Sequence, residues 1–132
     1  MDLWTDGSCG NKKSKAGGWG VYCPALDIKL SGSDKETTNN RMEITAIINA
    51  LQLIQSSDDS FSKVFSDSMW AINATTGKWN VTKNLDLVFE ARELYRSMSN
   101  TNLVWIKGHS GNYNNDIADE LARQAALSVE HS

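Results

Sequence analysis

The run Thr37-Thr38-Asn39-Asn40-Arg41-Met42-Glu43 sets helix-starting residues directly ahead of a long apolar-periodic segment, and no other stretch constrains the fold as much. Behind Glu43, the residues Ile44, Ile47, Ile48, Leu51 and Ile54 recur at the three-and-four spacing of one helical face, with Ala46 and Ala50 beside them. That face must be core. Asn39 or Asn40 is expected to cap the first turn, because a short polar side chain there accepts from backbone N–H groups that have no helical partner. Glu43 then lies near the positive end of the helix dipole, which favours an ionised carboxylate. Taken alone, this is a capped amphipathic helix; the positions of the other carboxylates give it a second meaning.

Leu3 and Thr5 alternate with Asp2 and Trp4 in a short strand that runs into the loop Asp6-Gly7-Ser8-Cys9-Gly10-Asn11, so Asp6 is expected at a strand end. Lys12, Lys13 and Lys15 make the following segment basic. Residues 17–23 resume an extended pattern that Pro24 ends, and 27–31 alternate polar with apolar, which together predict an antiparallel meander. A fourth strand over 61–66 is followed at once by Asp67. The spacing predicts a short helix over 68–73, a connector over 78–84 and a longer helix from Leu85 to about Met98. A fifth strand over 102–106 leads through a Gly/Asn-rich loop, 107–115, to a last helix that turns Ile117, Ala118, Leu121, Ala122 and Ala125 inward. Meander strands followed by alternating helices and strands indicate an α/β domain, a mixed sheet covered by helices, and 132 residues with 40% hydrophobic content suit one such domain, 1–132.

Cys9 and Cys23 are too few for a disulfide framework and too far apart for a Cys-x-x-Cys site, so free thiols in a reducing compartment are expected. No basic segment leads into an apolar run at the start, and no window approaches a membrane span, which points to the cytoplasm and away from membranes. A net charge of −3 argues against an indiscriminate polyanion binder. The total misleads, however, where carboxylates hold metal. If the first and fourth strands lie side by side, Asp6 and Asp67 converge with Glu43 and with Asp119 in the last helix. Such a cluster repels itself unless cations bind or some groups stay protonated. All-oxygen donors are hard and suit Mg²⁺ or Mn²⁺. A pair of such ions is the apparatus of phosphodiester hydrolysis.

The segments Thr5-Asp6-Gly7-Ser8-Cys9, Thr37 to Glu43, Ser66-Asp67-Ser68, Trp105 to Gly111 and Asp119-Glu120-Leu121-Ala122 resemble, in order and spacing, the type 1 ribonuclease H family. The resemblance covers nearly the whole chain. It implies a ribonuclease H-like five-stranded mixed sheet, the first three strands antiparallel, and endonucleolytic hydrolysis of the RNA strand of RNA–DNA hybrids with two Mg²⁺, Mn²⁺ substituting. Carried over by residue, it implies that Asp6, Glu43, Asp67 and Asp119 are metal ligands and that His109 assists proton transfer or product release. It further implies substrate contacts from Ser8, Cys9, Asn11, Asn39, Asn40 and Met69, with Thr38 and Asn84 on a phosphate of the DNA strand.

Many relatives carry a basic, tryptophan-bearing protrusion where this chain has only residues 77–84. Lys78, Trp79 and Lys83 are a residual contact or, for Trp79, a core residue. Loss of those lysines, and Glu36 in place of a basic residue, predict a weaker grip on the DNA strand with the chemistry untouched. No separate hybrid-binding domain is expected ahead of the catalytic one, which predicts low processivity. A hybrid- or double-stranded-RNA-binding module without turnover is the competing reading, but a module that only binds a polyanion gains nothing from concentrated negative charge. A double-stranded RNA or DNA-junction substrate is a third; Asn11, Asn39 and Asn40 disfavour the junction. No long exposed apolar run calls for a partner, so a monomer is expected.

Overall fold

The computed structural model describes residues 1–10, 14–57 and 61–130. Strand β1 (Asp2–Cys9) pairs antiparallel with β2 (Gly17–Cys23), which pairs antiparallel with β3 (Ile28–Asp34). On its other edge β1 runs parallel to β4 (Ser62–Ser66), and β4 runs parallel to β5 (Thr101–Trp105). The sheet order is therefore β3-β2-β1-β4-β5, mixed, with the first three strands antiparallel as expected. Among the described residues four α-helices accompany it: α1 (Asn39–Gln55), α2 (Met69–Thr76), α3 (Leu85–Arg96) and α4 (Tyr113–Glu130).

Helix α1 forms where its periodicity says it must. Ile44, Ile47 and Leu51 lose all solvent exposure against Leu3, Val21 and Val64 of the sheet, each contributing roughly 1.5–3 kcal/mol of burial free energy. Helix α4 covers the opposite face. Side chains alternate across a strand, and the alternation is visible in β2. A Cβ on Gly17 would meet Met42 of α1, whereas one on Gly20 would lie 2.5 Å from the Ala118 carbonyl oxygen of α4. Only a bare backbone at Gly20 lets α4 lie this close to the sheet.

Several boundaries differ from the sequence expectations. Strand β1 does not stop before Asp6: it runs through Gly7 and Ser8 to Cys9, because these residues pair with β2 down to Gly17. The cap of α1 is Thr38 rather than Asn39 or Asn40, its Oγ1 accepting from Arg41 N–H at 3.3 Å. Helix α3 ends at Arg96, and α4 begins at Tyr113, inside the expected loop. The deeply buried residues of α4 are Asn115, Ala118, Ala122 and Ala126; Ile117, Leu121 and Ala125 are only half-buried, since small residues are what the close approach admits. Trp79 is exposed, which removes its core reading. No described helix is long and apolar enough to cross a membrane.

Candidate active site

Parallel pairing of β1 with β4 brings the first two carboxylates together. The pairing runs up to Trp4 opposite Phe65, and two further steps along each chain reach Asp6 and Asp67. Asp6 remains in the β1–β2 ladder opposite Gly20, and one of its oxygens accepts from Gly7 N–H at 2.9 Å. Asp67 stands just past β4, ahead of Ser68, whose hydroxyl caps α2. Glu43 enters from the first turns of α1. Its approach depends on Gly7, where a Cβ would sit 2.4 Å from the Glu43 backbone nitrogen. Oxygens of Asp6, Glu43 and Asp67 consequently lie within 4.8 Å of one another.

Asp119 arrives from α4 on the other face and lines the same cleft as Asp6, near enough to help raise its carboxyl. Its Oδ2 is 3.2 Å from Nε of Arg123, one turn further along α4, and Arg123 also pairs with Glu120. Arg123 was invisible as a site residue in the sequence; its only signal was the i, i+4 spacing from Asp119. The acids, Arg123 and the loop residue His109 wall an open cleft of about 490 Å³.

The electrostatics are those of a site short of positive charge. Burial, then the negative charges of Asp6 and Asp67, push the Glu43 carboxyl up to about 11. Burial, then Asp67, push Asp6 up to about 8. The helix dipole expected to keep Glu43 ionised is thus outweighed by desolvation and two like charges. Glu43 is only 5% exposed, and its Oε1 is buried without a hydrogen-bond partner. Hard oxygen donors, mutual repulsion and an orphaned oxygen fit a divalent cation of the Mg²⁺ or Mn²⁺ type.

A pH dependence follows from these shifts. Both folded-state values lie above the unfolded ones, so the stability that protonation confers is complete below about pH 4 and is lost as pH rises toward 8 for Asp6 and 11 for Glu43. In chelator, Tm is expected to fall between pH 5 and pH 9, each kcal/mol appearing as about 4 °C. Saturating Mn²⁺ should flatten that fall, because the ion replaces the protons. Calorimetric melts across pH, with and without metal, check it; a Tm independent of pH in chelator would contradict the assignment.

The remaining candidates divide. Ser8, Cys9 and Asn39 line the cleft with the acids. His109 does too, exposed, on a left-handed backbone of φ 54°. Asn40 is exposed on the first turn of α1, and Met69 is exposed at the start of α2; neither forms the cleft wall. Thr38 and Asn84 meet elsewhere, around Arg41. The Asn84 side-chain oxygen accepts from Arg41 at 3.2 Å, Thr38 caps the turn that carries Arg41, and Asp86 binds the same guanidinium at 2.8 and 3.0 Å. Asn11, with Lys12 and Lys13, lies outside the described residues.

Comparison with known proteins agrees with this geometry. A family model described as RNase H matches residues 1–127. A ribonuclease H of Ruthia magnifica is 37% identical, covering 93% of this chain and 92% of its own. A ribonuclease H of Rhizobium etli is 36% identical over 94% of this chain and 89% of its own. Among solved structures, the N-terminal RNase H domain of a Mycobacterium tuberculosis protein, determined as a fusion with maltose-binding protein, superposes with a TM-score of 0.81. It covers 99% of this chain and 97% of its own at 21% identity, a likeness of fold. By its family match, its relatives and its sheet, this chain belongs to the RNase H family of ribonucleases.

Proposed function

We propose that the protein is an endoribonuclease that hydrolyses the RNA strand of RNA–DNA hybrids, leaving 5′-phosphate ends, with two divalent cations held by Asp6, Glu43, Asp67 and Asp119. The observation that carries this reading is the close grouping of Asp6, Glu43 and Asp67, two of them buried, in an open cleft. Two bound ions would activate a water on one side of the scissile phosphate and stabilise the leaving oxygen on the other. The chain's own residues do the rest. Gly7 N–H orients the Asp6 carboxylate, and Arg123 neutralises Asp119 while that residue has no other cation. His109, exposed at the rim, has room to swing toward the departing 3′-oxygen and carry its proton.

Substrate choice rests on a shallow groove that tells a 2′-hydroxyl strand from a deoxyribose strand. Ser8, Cys9 and Asn39, on the cleft wall, are suited to the groove edge beside the acids, with Asn40 and Met69 reaching flanking sugars. Thr38, Arg41 and Asn84 gather where α1 and α3 begin, a place suited to a phosphate of the DNA strand. Lys15, the described member of the basic loop, is paired with Glu36 at 3.5 Å, and both are exposed. That pairing supports a weak DNA grip. The chain is read as one catalytic domain over residues 1–132, acting as a monomer.

A substrate panel tests the reading. Labelled hybrid, double-stranded RNA, single-stranded RNA and double-stranded DNA are incubated with enzyme in Mg²⁺; cleavage of the hybrid alone is expected. Hybrid binding without cleavage would turn the protein into a binding module. His109→Ala should lower kcat by about 100-fold, the lower end of what one proton-transfer group contributes, and leave KM little changed. An unchanged kcat removes His109 from the chemistry.

A further inference from the structure

Asp6 is fixed by the β1–β2 ladder, and Glu43 and Asp119 by helices, but Asp67 stands in neither. It occupies a bend between the last residue of β4, Ser66, and the cap of α2, Ser68. A ligand on such a bend needs its backbone held by other means, because a metal site tolerates displacement of only about 0.5 Å. Three hydrogen bonds surround it. Ile106 N–H donates to the Ser66 carbonyl at 2.9 Å, and Ser68 N–H donates to Ser66 Oγ at 3.0 Å. The third reaches Asp67 itself: the indole Nε1–H of Trp105 donates to the Asp67 carbonyl oxygen at 3.1 Å.

Trp105 is 47% exposed, so core burial alone does not account for this large ring at the end of β5. We propose that Trp105 is a positioning residue for Asp67. Its indole N–H fixes the peptide plane that follows Asp67 and thereby aims the carboxylate at the divalent cation; the inference rests on the metal-site reading given above. Gly108 borders the other side. A Cβ there would lie 2.5 Å from Asp67 Oδ2, so the carboxylate takes its place only because this residue has no side chain. The indole at the end of β5 thus holds the backbone of Asp67, and the loop that follows leaves room for its carboxylate.

The test measures Mn²⁺ affinity by calorimetry, with no substrate present, alongside Tm in chelator. Wild type and Asp67→Asn come first, since a wild-type protein that binds no Mn²⁺ defeats the metal-site reading itself. Given wild-type binding, Trp105→Phe keeps a ring and removes the N–H. It should raise the Mn²⁺ Kd about fivefold, the effect of one ordinary hydrogen bond, while Tm in chelator stays within about 3 °C. Trp105→His, which retains a ring N–H, should recover part of the lost affinity. A wild-type Kd in Trp105→Phe overturns the proposal. So does a loss of affinity matched by a large fall in Tm that Trp105→His fails to restore, because a packing role alone would produce it.

Discussion

Asp6→Asn is expected to fold, and to hydrolyse the RNA strand of a hybrid about 10³-fold or more slowly than wild type, a loss of about 4 kcal/mol of transition-state stabilisation. Asp6 is the hub of the site. Asp67, Glu43 and Asp119 all act on its carboxylate, and the amide keeps its shape while losing the charge that would hold a cation. The same substitution should act oppositely on stability. At pH 9 in chelator, wild-type Asp6 has lost the proton that burial favours, its folded-state value being about 8. The amide has no proton to lose, so the variant should melt above wild type under those conditions. Paired melts and initial rates measure both effects. A variant that keeps more than a tenth of wild-type activity would remove Asp6 from the metal site, and one that merely unfolds would show it in the melt.

Gly7→Ala should damage fold and activity together. The added Cβ would meet the Glu43 nitrogen at 2.4 Å, the Met42 carbonyl carbon at 2.6 Å and the Glu43 Cα at 2.9 Å, all backbone atoms that cannot swing aside. Helix α1 must then move off β1. Overpacking of this kind costs about 1–3 kcal/mol, or about 4–12 °C in Tm. Glu43 moves with the helix, away from Asp6 and Asp67, and a displacement near 1 Å at a reacting site can cost about 10²-fold in rate. Saturating Mn²⁺ should fail to restore the rate. Full activity with a wild-type Tm would mean that the β1–α1 contact is looser than its geometry indicates.

How much of this was readable in the sequence differs from one element to the next, for physical reasons. Helix α1 was readable because its apolar face is periodic, and the antiparallel strands because Pro24 ends the extended run 17–23 and residues 27–31 alternate cleanly. The reach of β1 was not. Gly7, Ser8 and Cys9 have the composition of a turn, and only pairing with the equally glycine-rich β2 makes them a strand. Thr38, Asn39 and Asn40 are all competent caps, so the choice among them is made by where the backbone turns into the helix.

The four acids were legible as a set, yet the state of Glu43 was not. Its place near a helix start argues for ionisation, and only the folded chain sets burial and two further carboxylates against it. Partners supplied by tertiary contact stayed hidden for the same reason. Nothing in the spacing of Trp105 and Asp67, or of Arg41 with Asn84 and Asp86, announces that they touch.

The most direct test of the central claim follows a hybrid labelled on its RNA strand, with initial rates in Mg²⁺, in Mn²⁺ and in chelator and with the product ends identified. Cleavage is expected with either cation and not in chelator, with 5′-phosphates on the RNA fragments. Cleavage that persists in chelator, or fragments ending in a 2′,3′-cyclic phosphate, would contradict it, since either result would mean that the RNA is cut without a cation-activated water.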